Sequence, residues 1–197
     1  MSDDLALASR LAGDVDSHFE ELVRTFQDRL YGFALRLTGD PADAEECTQD
    51  SFVRAYRALQ RYPSDRVRAL RLKAWLYQIT LNVVRNRARR AELPRVNLDR
   101  PDVANGLTAQ RGDEQPELAS VLVETRSQLA TAISRLPERY AAAVVLRHVQ
   151  GLSYAEAAEI LDQPVGTTKS DVHRGLGLLR EALEKPEFKP LLVGDHR

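Results

Sequence analysis

Residues 152–180 read LSYAEAAEILDQPVGTTKSDVHRGLGLLR. Ser153-x-x-Glu156 is a capping box, in which the serine oxygen accepts from a backbone N–H three residues on and the glutamate reaches back to the cap. It opens a short helix over Tyr154–Leu161 that carries the small pair Ala157-Ala158. Asp162 to Gly166 makes a turn. A long helix follows from about Val165 to Glu184, and its periodicity assigns Val165, Val172, Leu176, Leu179 and Leu183 to the inner face. A short helix, a tight turn and a second helix, with small residues where the two cross, describe a helix-turn-helix. In such a unit the N-terminal end of the second helix enters the major groove of duplex DNA. The outward positions there are Thr167, Lys169, Ser170, His173 and Arg174. Arg174 suits a guanine edge and Ser170 several bases, while Lys169 and the helix N-terminus suit phosphates. The competing account is a helical hairpin whose polar face is merely wet.

Upstream of this unit, Leu118, Leu122, Leu129, Ile133 and Leu136 recur at helical spacing, and Pro137 opens an apolar run, Tyr140 to Leu146, that predicts a buried helix ended by Gly151. From Glu92 to about Pro116 periodicity disappears among Pro, Gly, Asp and Asn, the composition of a linker. Before it, Leu7, Ala8 and Leu11 with Leu5 predict a short first helix closed by Gly13. Phe19, Leu22, Val23, Phe26, Leu30, Phe33, Ala34 and Leu37 predict a long second one. Gly39 suits a left-handed C-terminal cap, Asp40 an N-cap and Pro41 the first helical position. The helix that follows turns Ala44, Cys47, Thr48, Phe52, Ala55 and Leu59 inward. Tyr62-Pro63-Ser64-Asp65 breaks the pattern, and a basic helix runs from about Leu70 to Ala91 with Leu72, Leu76, Ile79 and Val83 buried. No strand pattern or internal repeat appears. The expected fold is all-α: two helical domains, residues 1–92 and 118–186, joined by a flexible linker over 93–117 and followed by a loose tail, 187–197.

Composition excludes several classes. One cysteine, Cys47, rules out an internal disulfide framework and a cysteine-based zinc site, and favours a reducing, cytoplasmic setting. No signal-peptide core and no apolar run of spanning length occur. The four histidines show no ligand pairing, and no phosphate loop, nucleophile elbow or dinucleotide fingerprint is present, so neither a metal, a cofactor nor an active site is expected. Net charge is −1, too little for a protein that simply coats DNA. Its distribution says more. Nine basic residues and one acidic residue lie between Arg66 and Arg95, and five acidic and no basic residues between Asp40 and Asp50.

The basic stretch carries Arg71, Lys73, Trp75 and Tyr77, then Asn82, Arg85, Asn86 and Arg89 on one helix face. Aromatics interleaved with cations suit unpaired DNA, whose bases stack on rings while cations hold the backbone; Trp75 equally fits a core position at helical spacing from Ile79. On the acidic helix Glu46, Gln49, Asp50 and Val53 stand at i, i+3, i+4 and i+7 and form one ridge. Lacking a calcium-loop pattern, the ridge reads as a docking face for a partner protein.

These units, in this order, resemble the extracytoplasmic-function sigma factors of bacterial RNA polymerase, members of the sigma-70 superfamily. Asp43-Ala-Glu-Glu-Cys-Thr-Gln-Asp-Ser-Phe-Val-Arg-Ala-Tyr and Trp75-Leu-Tyr-Gln-Ile-Thr-Leu-Asn look like sigma domain 2. Leu136-Pro-Glu-Arg-Tyr, Gly151-Leu-Ser-Tyr-Ala-Glu-Ala-Ala-Glu-Ile-Leu and Pro164-Val-Gly-Thr-Thr-Lys-Ser-Asp-Val-His-Arg look like sigma domain 4. The resemblance covers roughly residues 5 to 185. It implies a monomeric initiation subunit without catalysis of its own. Glu46, Gln49 and Asp50 fall where the family docks on the clamp helices of core polymerase, and residues 64–73 where it captures a flipped −10 base. Asn82, Arg85, Asn86 and Arg89 fall where it holds the melted strand, the second helix of the helix-turn-helix on the −35 element, and the linker toward the RNA exit path. Many members are held by an anti-sigma factor. Two departures stand out. Asp171 replaces the family's usual arginine, and a carboxylate beside phosphates predicts weaker or rotated −35 binding. Gly175 and Gly177 predict a softer recognition helix, at roughly 1 kcal/mol each relative to alanine. A conventional helix-turn-helix regulator that binds duplex DNA alone is the second reading, and an enzyme built on the carboxylate cluster the third.

Overall fold

The computed structural model describes residues 2–92, 125 and 128–184; the linker and tail expected at 93–117 and 187–197 lie outside the described residues. The described chain is helical, without strands. Five helices precede the linker: α1 (Ser2–Gly13), α2 (Val15–Thr38), α3 (Pro41–Leu59), α4 (Ser64–Arg68) and α5 (Leu72–Glu92). Beyond it come a helical segment over 128–134, called α6, then α7 (Glu138–Val144) running into a π-helical turn (Val145–Val149), α8 (Tyr154–Leu161) and α9 (Val165–Leu183).

The helix boundaries follow local chemistry. Asp14 caps α2 by accepting from the Ser17 N–H at 3.1 Å. Gly39, at φ 71°, closes α2 by donating its N–H to the Leu35 carbonyl at 2.8 Å, a left-handed conformation that glycine adopts without a Cβ clash. Asp40 caps α3 through the Asp43 N–H at 2.9 Å, with Pro41 opening the helix. The Ser153–Glu156 capping box is formed in both directions at the start of α8.

Leu22, Phe26, Leu30 and Phe33 of α2 bury against Phe52, Ala55 and Leu59 of α3 and Leu72, Leu76 and Leu81 of α5. Each of these leucine and phenylalanine side chains stabilises the fold by about 1.5–3 kcal/mol on burial. The same apolar cluster continues into Ile133, Ala142, Leu146, Ile160 and Val172, so the two helical domains pack together. Tyr77 sits at that junction. It is fully buried, lies edge-on to Phe33 with ring centroids 5.1 Å apart, and donates its hydroxyl to Gln150 Oε1 at 2.7 Å. Burial pushes its pKa up to about 12, so it remains a neutral donor.

Several positions differ from the sequence reading. Helix α4 fills part of the stretch read as a break, held down by Val67, which is buried. Leu5 and Leu129 are exposed. On α9, Val165 and Leu176 face outward, and the buried row is Thr168, Asp171, Val172, Gly175 and Leu179. Gly175 explains this rotation. A Cβ there would lie 2.6 Å from Val144 Cγ2 and 3.2 Å from the Tyr140 carbonyl oxygen, so the bare backbone lets α9 close on α7. Gly175 therefore tightens the recognition helix against its scaffold where the sequence predicted softening. Gly177 is different: it is exposed, with open space where a Cβ would go. Gly177→Ala is expected to stabilise the protein by about 1 kcal/mol, read as a raised urea midpoint at unchanged slope.

Candidate nucleic-acid interface

The outward face of α9 carries the side chains singled out from the sequence. Lys169, Ser170, His173 and Arg174 are exposed and Thr167 is half-buried. Lys169 Nζ stands 5.7 Å from the Tyr154 ring centroid, which supports its stem while leaving the charge in water. The Ser170 hydroxyl donates to the Gly166 carbonyl at 3.0 Å, leaving its oxygen free to accept. Arg174 forms no ion pair with any described residue, so its guanidinium is available to a ligand.

Asp171 does not join this face. It is 1% exposed, and Arg139 at the start of α7 donates Nη2 to its Oδ1 at 2.6 Å. Gln163 in the turn donates Nε2 to its other oxygen at 3.2 Å. The expected repulsion between this carboxylate and DNA phosphates is thus corrected: the charge is turned inward and neutralised. The Asp171 hydrogen bond raises the Arg139 pKa further above its ordinary value, so the guanidinium stays charged.

On α5 and at Arg71 just before it, the residues proposed for unpaired DNA are spread over two environments. Asn82 and Arg89 are exposed, and Arg89 donates to the Asn86 side-chain oxygen. Trp75 is half-buried, packed on the core and tilted against Tyr62 with ring centroids 6.3 Å apart. The Arg66 guanidinium lies over Tyr62 at 3.7 Å. Trp75 thus belongs partly to the core and partly to a small aromatic–cationic surface. Tyr77, read with it as an aromatic of the basic stretch, is withdrawn by burial.

Two cations of this set face the other domain. Arg85 Nε pairs with Glu138 Oε1 at 2.6 Å, and Arg71 pairs with Glu159. Lys73 and Arg71 both lie close enough to Glu156 to depress its pKa, after the larger effect of the hydrogen bonds from Ser153. Three carboxylates of the C-terminal domain therefore stand over Arg71, Lys73 and Arg85. None of these pairings is visible from sequence, because each spans tens of residues and the partner is set by how the domains meet.

The acidic ridge stands on α3. Glu46, Gln49 and Val53 are exposed and Asp50 is half-exposed. Two salt bridges brace it: Arg87 of α5 holds Asp43 and, at 2.6 Å, Glu46, and Arg54 pairs with Asp50 at 2.8 Å. Gln49 donates to Glu45 at 3.2 Å. The ridge borders an open cleft of about 470 Å³ between α2, α3 and α5, with Cys47 and Val84 among its walls. Burial pushes the Cys47 thiol pKa up to about 11, so it is a neutral packing group and not a nucleophile at pH 7. Among the described residues no cluster of three His, Cys, Asp or Glu side chains is placed to hold a metal ion, and no helix is long and apolar enough to cross a membrane.

Comparison with known proteins joins these surfaces. Residues 22–93 match the Sigma-70 region 2 family and residues 126–179 the Sigma-70 region 4 family. The chain is 32% identical to the RNA polymerase sigma-H factor of Pseudomonas aeruginosa, covering 96% of this chain and 95% of that one. It is 35% identical to the ECF RNA polymerase sigma factor SigW of Bacillus subtilis over 88% of this chain and 90% of that one. It is also 35% identical to the ECF RNA polymerase sigma factor SigE of Mycolicibacterium smegmatis, over 85% of this chain and 62% of that longer protein. Among solved structures, CnrH in complex with the cytosolic domain of CnrY matches its fold with a TM-score of 0.64 at 24% identity, covering 91% of this chain and 96% of that one. The all-α fold, the paired matches to regions 2 and 4 and the near full-length relatives together establish that this chain belongs to the extracytoplasmic-function sigma factors, the transcription initiation subunits of the sigma-70 family.

Proposed function

We propose a division of labour among three surfaces. The α3 ridge of Glu46, Gln49, Asp50 and Val53 docks on core RNA polymerase. The α4–α5 surface, with Arg71, Lys73, Trp75, Asn82, Arg85, Asn86 and Arg89, takes the melted −10 strand. The exposed start of α9, with Thr167, Lys169, Ser170, His173 and Arg174, reads the −35 duplex. The domain bounds 1–92 and 118–186 divide the first two surfaces from the third, and residues 93–117 connect them. The observation that carries this reading is the presence, on one chain of net charge −1, of an exposed acidic ridge with an apolar Val53 and two separate basic surfaces. A protein that bound duplex DNA alone has no use for the first.

Holding a melted strand requires Arg71 and Arg85 to exchange Glu159 and Glu138 for phosphates. Those ion pairs are substantially exposed, with side-chain exposures of 61% and 40% for one and 32% and 43% for the other. Exposed pairs stabilise by about 0.2–1 kcal/mol each and are screened by salt, so polymerase binding and DNA together outweigh them. Among solved structures that share this fold, the sigma factor RpoE of Bartonella quintana is in complex with the anti-sigma factor NepR. A cytoplasmic inhibitor of that kind fits this chain as a regulatory partner.

The test is transcription in vitro with core polymerase and a template library randomised over the promoter. Product that depends on this protein and selects both −10 and −35 sequences is expected. Tight duplex binding by the free protein, with no protein-dependent transcript, contradicts the proposal and returns the conventional regulator. In the same assay Arg174→Ala is expected to reduce −35 discrimination by about 2 kcal/mol at the base it reads. An equal loss on all −35 sequences would make Arg174 a phosphate contact instead.

A further inference from the structure

Helix α9 begins without a side-chain cap. Its N-cap position is Pro164, which offers no hydrogen-bonding side chain, whereas α2, α3 and α8 are each capped by Asp or Ser. The end of the helix that carries the reading side chains is held by something else. The Asp171 carboxylate, buried in the second turn, accepts from Arg139 Nη2 at 2.6 Å and from Gln163 Nε2 at 3.2 Å. The same Gln163 amide also donates to Thr168 Oγ1 at 3.1 Å, and the Thr168 hydroxyl donates to the Pro164 carbonyl at 3.2 Å. One carboxylate therefore links three parts of the domain: the start of α7, the turn, and the first turn of α9.

Geometry gives this link a direct consequence for recognition. Ser170 lies one residue before Asp171, and His173 and Arg174 two and three after it, all pointing outward while Asp171 points inward. Fixing the inward carboxylate at two points fixes the rotation of the outward side chains about the helix axis. One turn to either side of Asp171 in the buried row stand Thr168 and the bare backbone of Gly175, while Val172 and Leu179 pack beside and beyond it. Close backbone approach at Gly175 seats the middle of α9 on α7, and the directional hydrogen bonds of Asp171 add the hold on its first two turns.

We propose that Asp171, through Arg139 and Gln163, is a positioning residue for −35 recognition: it sets the register of the α9 reading face against the promoter without touching DNA. This inference rests on the assignment of α9 to the −35 element, and the experiment separates the two.

Asp171→Leu removes the link while keeping an uncharged side chain of similar size in the buried site. Arg139 is 57% exposed in its side chain, so water solvates it once its partner is gone. Replacing a buried charge by a hydrophobe without stranding the other charge is neutral or stabilising. Asp171→Asn keeps an acceptor for Arg139, and its Nδ2 donates to Gln163 Oε1 once the Gln163 amide turns over. Each variant, loaded on core polymerase, transcribes a template library randomised over the −35 segment, alongside Arg174→Ala, and thermal midpoints are recorded. The expected result is that Asp171→Leu melts at or above the parent yet loses about tenfold in −35 discrimination, and that Asp171→Asn retains it. Should Asp171→Leu fail to fold, Arg139→Ala cuts the same link from its exposed end and is expected to lose discrimination in the same direction. Parent-like discrimination in the folded link variants, with Arg174→Ala impaired, overturns the positioning role and leaves the −35 assignment standing. Parent-like discrimination in all of them, Arg174→Ala included, removes the assignment and the proposal with it. Lower stability with unchanged discrimination makes Asp171 a structural residue only and also overturns the proposal.

Discussion

Asp50→Arg is expected to weaken binding to core RNA polymerase by more than about 100-fold, because a like charge placed in a complementary interface costs several kcal/mol. The fold should survive. Asp50 is half-exposed, and its one strong contact is the i, i+4 pair with Arg54. Turning that pair into a like-charge pair costs about 0.5 kcal/mol. Glu46 remains braced by Arg87, whose guanidinium pKa is raised by its hydrogen bond to Asp43 and its contact with Glu46 and which is charged at every accessible pH. A fluorescence titration with core polymerase beside a urea melt separates the two effects. An unchanged Kd in a variant with a parent-like melt would remove the α3 ridge from the polymerase interface.

Gly175→Val is expected to destabilise the protein by about 3 kcal/mol, the upper end of overpacking costs. Even a Cβ meets Val144 Cγ2 at 2.6 Å and the Tyr140 carbonyl at 3.2 Å. A carbonyl within α7 cannot swing aside as a flexible side chain does, and Val144 is itself 2% exposed. Relief requires α9 to move away from α7, which opens the row of Thr168, Val172 and Leu179. The check is the chemical denaturation midpoint, measured beside Gly177→Ala, whose sign should be opposite. If both glycine variants shift stability alike, helix propensity and not the approach of α9 to α7 governs these positions.

Much of the architecture was written in local signals. Gly39, Asp40 and Pro41 mark the α2–α3 junction because each acts on its own backbone, and the Ser153–Glu156 pair marks α8 for the same reason. Apolar spacing placed α2 and α3 because their buried faces are made of Leu, Phe and Ala. The rotation of α9 was not legible, since its inner face is made of Thr168, Asp171 and Gly175, residues that carry no hydrophobic signal, while Val165 and Leu176 carry one and lie outside. Helix α4 was missed because five residues without a side-chain cap depend on the burial of Val67 for their shape. The π-helical turn after α7 leaves Gln150 donating its N–H to the Val145 carbonyl at 2.9 Å, a register that no residue type announces. Of the candidate sites, the exposed ones were readable as periodic polar faces. The engagement of Arg71 and Arg85 by Glu159 and Glu138, the burial of Tyr77 and the inward turn of Asp171 were not, because each depends on a partner from another helix.

The central claim is that this chain works as a subunit of RNA polymerase, and the most direct test is to mix the purified protein with bacterial core enzyme and pass the mixture over a sizing column. The account predicts stoichiometric co-elution of the parent protein and none of Asp50→Arg. A parent protein that elutes alone, while binding duplex DNA tightly without polymerase, would contradict it.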